Sequence, residues 1–153
     1  MNIEARLAEL GITLSEVTMP KFSYIAIKQT GNLLYTSGND CRLDGVLIHK
    51  GTLGANLTIE EGQAAARQCM INILSSVKHY IGDLNRVVGC VKMLGFVQSS
   101  DDFKDQPYVM NSASDLLIDV FGESGRHARS AIGTNTLPFD TPVEIELILE
   151  IKD

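Results

Sequence analysis

Apolar and polar positions follow different rhythms along the chain, and each rhythm predicts a different element. Ile3–Leu10 mixes apolar residues with Glu4, Arg6 and Glu9, which predicts a short amphipathic helix before Gly11 and a loop ending at Pro20. Residues 1–20 therefore read as an N-terminal helical extension, and residues 21–153 as one domain. Phe22–Gln29 is rich in β-branched and aromatic residues, and after Thr30-Gly31-Asn32 the strand pattern resumes over Leu33–Gly38, predicting a β-hairpin. Asn39–Asn56 is Gly-rich and weakly patterned, with room for a short strand around Val46–His49.

A strong helical signal follows. Thr58-Ile59-Glu60-Glu61 is a capping-box signature, in which the Thr hydroxyl accepts a backbone N–H while Glu61 reaches back. Ala66, Cys69, Met70, Ile73, Leu74, Val77, Tyr80 and Ile81 then recur on one helical face until Gly82. After a turn at Asp83–Arg86, Val87–Val97 is almost continuously apolar, so the predicted strand has to be covered on both faces. A second helix is predicted over Phe103–Phe121, with Pro107 in its first turn and a stripe of Val109, Ala113, Leu116, Leu117, Val120 and Phe121. Gly122 and Gly125 punctuate its end. Two last strands are predicted, Ala128–Thr136 and Val143–Ile151, and in the second Glu144, Glu146 and Glu150 alternate away from the apolar positions.

This order predicts an α+β fold with two helices on one face of a mixed β-sheet. Two helices cover one face only. The apolar character of Val87–Val97 on the other face therefore predicts a homo-oligomer.

Composition narrows the function classes. The chain has 153 residues, 44% of them hydrophobic, which excludes a disordered chain, and its net charge of -6 disfavours nucleic-acid binding. No apolar run is long enough to span a bilayer and the N-terminus does not resemble a signal peptide, so no membrane association is expected. Cys41, Cys69 and Cys90 are odd in number and lack C-x-x-C spacing, which predicts free thiols in a reducing, cytoplasmic location. His49, His79 and His127 show no ligand spacing, so no metal site is expected and the histidines read as surface or structural residues. Gly51-Thr52-Leu53-Gly54 is not a phosphate loop, and Thr36-Ser37-Gly38-Asn39 is not a nucleophile elbow.

Arg129 is the residue with the clearest chemical demand. A guanidinium on a buried strand needs an anion, either Glu144 or Glu146 of the same chain or a ligand carboxylate held by two parallel hydrogen bonds. Glu144 has two readings as well: a solvated strand face, or a carboxylate at an intersubunit cleft that orients water. Tyr24 and Ser37, in the first hairpin, supply hydrogen-bonding groups.

Tyr24 before Gly31-Asn32, Leu33-Leu34-Tyr35-Thr36-Ser37-Gly38, Ala128-Arg129-Ser130, Leu137-Pro138 and Val143-Glu144-Ile145-Glu146 together resemble the Rid family, also called YjgF-like and labelled endoribonuclease L-PSP or translation inhibitor. The resemblance covers Lys21 to Ile151. It implies a chorismate-mutase-like homotrimer with intersubunit clefts that hydrolyses enamine/imine intermediates of the 2-aminoacrylate type to 2-keto acids and ammonia, without metal or cofactor. By that resemblance Arg129 grips the substrate carboxylate of a small metabolite, Tyr24 and Ser37 line the cleft, and Glu144 holds the attacking water. Deaminase members usually carry a cysteine where this chain has Ala131. Two other functions stay open: a non-catalytic module binding 2-keto acids, and the ribonuclease or translation-inhibitor activity of the family label, against which the net charge counts.

Overall fold

A computed structural model describes residues 1–153. Its central element is a five-stranded sheet in the order β1-β2-β7-β5-β6, built from β1 Ile27–Thr30, β2 Leu33–Thr36, β5 Val87–Gln98, β6 Ala128–Thr134 and β7 Val143–Ile151. β5 and β6 run parallel and the other neighbours antiparallel, so the sheet is mixed as expected. A small hairpin, β3 Arg42–Leu43 and β4 Val46–Leu47, lies in the Gly-rich segment. The first hairpin is shorter than its composition suggests, because regular pairing begins only at Ile27 and ends at the Gly31-Asn32 turn.

α2, Ile59–Ile81, starts on the predicted capping box: Glu61 N donates to Thr58 Oγ1 and Thr58 N donates to Glu61 Oε1. α3, Gln106–Phe121, has Pro107 in its first turn, where no intrahelical N–H is lost. The two apolar stripes pack against each other and onto one sheet face, which Met93, Val97, Val143, Ile145, Leu147 and Leu149 fill without solvent exposure above 1%. Tyr80 leaves the α2 stripe and is exposed, with its hydroxyl donating to Gln29 Oε1.

The N-terminal helix, α1 Ile3–Glu9, is joined to the body of the fold. Ile3, Leu7 and Ile12 are buried in the same core, Arg6 Nε donates to the Asp119 carbonyl, and Lys78 pairs with Glu4. The opposite face of the sheet stays uncovered. Leu94, Phe96 and Ile148 are half-buried there, and Tyr35 and Ile132 are exposed. The helices thus satisfy only one face of the apolar strand β5.

Candidate functional site

Arg129 is the second residue of β6, an edge strand, and it lies opposite Met93 on the helix-covered side of the sheet. Being at an edge, it is half-buried rather than enclosed as a central strand would make it. No carboxylate of the chain neutralises it, and neither Glu144 nor Glu146 is its partner. Its partners are neutral groups on α3: Nη1 donates to Asn111 Oδ1 at 2.9 Å and to Ser114 Oγ at 3.1 Å. Both hydrogens of Nη1 are thereby used. The Nε and Nη2 edge, the pair of parallel donors that matches a carboxylate, makes no hydrogen bond to the protein.

Asn111, Ser114 and Ile118 of α3 form one wall of a cleft of about 260 Å³, and Arg126, His127 and Arg129 form the other. The spacing explains the walls. Asn111, Ser114 and Ile118 are three and four residues apart on one helix face, and His127 immediately precedes β6, two residues before Arg129. His127 Nδ1 faces the Gly125 carbonyl at 2.7 Å, and its Nε2 faces Ser114 Oγ at 2.9 Å. Arg126 lies at the cleft with Glu123 as its ion-pair partner.

The other sequence-predicted residues gather elsewhere. Glu144 is the second residue of β7, opposite Phe96 on the uncovered face of the sheet. The chain after β2 bends beside it: Asn39 and Ile145 exchange backbone hydrogen bonds, and a Cβ on Gly38 would stand 2.9 Å from Glu144 Cδ. Ser37 uses its hydroxyl locally, donating to the Ile25 carbonyl at 2.6 Å. Tyr24 is half-exposed and stacks on Phe22. Arg129 is two strands and three register positions from Glu144, roughly 10 Å across and 10 Å along, and on the opposite face. One chain therefore holds two separate clusters, one around Arg129 and one around Glu144.

The sequence model of the family described as "YjgF/chorismate mutase-like, putative endoribonuclease" matches residues 4–151. The chain belongs to this YjgF family. It is 43% identical over 153 residues to protein TCP17 of Trypanosoma cruzi, covering 99% of this chain and 96% of that one. A crystal structure of an Agrobacterium tumefaciens protein of unknown function superimposes with a TM-score of 0.90 at 42% identity, covering 97% of this chain and 91% of that one. A Shewanella oneidensis structure described as a "putative endoribonuclease" gives a TM-score of 0.95 at 32% identity, covering 99% and 100%. The YjgF match begins within α1, so the helix predicted as an extension is part of the matched region.

Within this YjgF-family chain, Ala131 lies two residues past Arg129 on the same side of β6, opposite Gly95, and packs against the core. The three cysteines are buried and free, and burial pushes the Cys90 thiol up to about 12, which keeps it protonated and unreactive near neutral pH. Asn111, Ser114, Arg126 and His127 are the cleft residues that sequence reasoning passed over. Their available signal was polar residues three apart on the helix beside the apolar stripe, and a histidine in strand phase with Arg129.

Glu144 carries the one shifted carboxylate at either cluster. Partial burial, and then the neighbouring charges of Asp40 and Glu146, raise its pKa above the ordinary glutamate value, and no cation of the chain pairs with it. The folded state thus binds this proton more tightly than the unfolded chain. The ionised form costs stability, a cost that appears as pH rises from the unfolded value through the raised folded one. Glu144→Gln is expected to raise Tm at neutral pH, with the gain vanishing below the unfolded glutamate pKa. A gain independent of pH, or a loss at neutral pH, would refute that origin.

Proposed function

We propose that this YjgF-family protein hydrolyses reactive enamines and imines of small 2-amino acids, of the 2-aminoacrylate type, to 2-keto acids and ammonia. The observation that carries the reading is the open Nε and Nη2 edge of Arg129, a permanent cation held by neutral groups beside a cleft. A substrate carboxylate satisfies that edge and fixes the adjacent C=N bond relative to the protein. Positioning is then most of the catalysis, because water adds readily to a protonated imine once the two are aligned.

Glu144, Tyr24 and Ser37 belong to the same reading through a second copy of the chain. The half of the sheet left bare by the helices, with Tyr35, Phe96, Ile132 and Ile148, is the surface a neighbouring subunit covers. A homotrimer closed through that face places Glu144 of one protomer at the cleft of the next, where its carboxyl group accepts a hydrogen bond from the attacking water and orients it.

The test is to generate 2-aminoacrylate in situ with a serine dehydratase and follow pyruvate release with and without the protein. Release accelerated above the buffer rate, by a protein sedimenting as a trimer, supports the reading. Binding of 2-oxobutyrate without acceleration would replace it with a keto-acid binding module. Cleavage of RNA that survives Arg129→Ala would replace it with a ribonuclease.

A further inference from the structure

The cleft beside Arg129 contains a connected set of proton-exchanging groups within a single chain. The His127 tautomer follows from its partners: the Gly125 carbonyl can only accept, so Nδ1 carries the hydrogen of the 2.7 Å contact. In the neutral ring Nε2 is then a bare acceptor, and Ser114 Oγ donates its hydrogen to it at 2.9 Å. Arg129 Nη1 in turn donates to Ser114 Oγ at 3.1 Å. Every polar atom in this series has one consistent role, and the hydroxyl oxygen keeps one lone pair unused by the protein.

We propose that Ser114 and His127 are the proton-transfer pair for a substrate held by Arg129, an inference that rests on the imine-hydrolysis reading above. Water adds its oxygen to the imine carbon, and the C=N π pair moves to nitrogen. The proton released by the water passes to Ser114 Oγ as the Ser114 hydrogen passes to His127 Nε2. The imidazolium so formed returns that proton through Ser114 to the carbinolamine nitrogen. The hydroxyl proton then passes by the same Ser114–His127 route to the nitrogen, the C–N bond breaks, ammonia leaves with the bonding pair, and the carbonyl forms. Substrate plus water thus balances to keto acid plus ammonia, and the pair ends as it began.

Arg129 has a further part here. Its cation next to Ser114 Oγ favours negative charge on that oxygen during the relay. The charged groups around His127 are few. Arg126 and Arg129 flank it on its own segment, with Glu123 paired to Arg126. α3 presents Asn111, Ser114 and Ile118 to the cleft, none of which titrates, while the exposed Asp115 follows Ser114 on the helix. β5 contributes Met93 beside Arg129, and Lys92 belongs to the other face, where its Nζ donates to Ser130 Oγ.

His127→Gln, whose amide oxygen still accepts from Ser114 but cannot carry its proton onward, should lower kcat by about 10²-fold, as loss of a positioned acid–base group does. KM should stay near the wild-type value, because Arg129 is untouched. Ser114→Ala should lower kcat similarly, and Ser114→Thr, which restores a hydroxyl, should recover most of it. Unchanged kcat in both His127→Gln and Ser114→Ala, with Arg129→Ala still strongly impaired, would overturn this inference alone. Wild-type protein that never accelerates keto-acid release would overturn it together with the reading on which it rests.

Discussion

Arg129→Ala lowers kcat/KM for imine hydrolysis by about 10²–10³-fold, the effect of removing about 3–4 kcal/mol of binding from a hydrogen-bonded charge pair. The same variant loses binding of 2-oxobutyrate in calorimetry. The magnitude follows from geometry. The guanidinium has no carboxylate partner in the chain, so the interaction it makes with a ligand is not offset by a salt bridge broken on binding. Asn111 and Ser114 fix Nη1 in advance, so little side-chain freedom is lost when the substrate arrives. Arg129→Lys keeps the charge but not the fork, and recovers only a small part of the loss. The variant folds, because Arg129 lies on an edge strand and its α3 partners can turn to water. A fully active Arg129→Ala protein would remove the carboxylate anchor and the function built on it.

Gly125→Ala has the largest expected effect on stability. A Cβ at this position would stand 2.1 Å from the Leu117 carbonyl oxygen, 2.6 Å from its carbon and 2.9 Å from Ile118 N. All three atoms belong to the backbone of α3, which is locked by its own hydrogen bonds and by the core beneath it. The turn after the helix therefore has to move away. A cost of about 3 kcal/mol, the upper part of the range for overpacked sites, lowers Tm by roughly 6–12 °C in a chain of this size. Function suffers as well, since the Gly125 carbonyl orients His127, two residues from Arg129. Gly89→Ala is the control: its Cβ would meet only the Ser124 carbonyl oxygen, at 3.3 Å, and should shift Tm far less. Equal melting temperatures for the two variants would show that the close approach at Gly125 is relieved without cost.

Gly122 and Gly125 illustrate what can be read from a residue type and what cannot. Both mark the end of α3 in the sequence. Gly122 does so by conformation, with φ of 63°, whereas Gly125 is needed because the returning chain touches the helix backbone. The first reason is local and visible in any helix-ending glycine. The second depends on where a segment lands in space.

The same division holds for the molecule as a whole. By itself the sequence determined α2, α3, β5 and β7, because the capping box at Thr58, the apolar stripes and the alternation of Val143–Ile151 are local signals read over one or two turns or along one strand. It also determined that one face of β5 would lack a cover, and it singled out Arg129 by the cost of burying a lone cation. Only the tertiary structure decided that α1 joins the core, that Tyr80 leaves it, and that Arg129 and Glu144 face opposite ways. It alone decided that Arg129 is met by Asn111, Ser114 and, through Ser114, His127. Hydrophobic periodicity reports which side of an element is buried. It carries no information on which polar residues of α3 and β6 meet, since that depends on how the helix seats on the sheet.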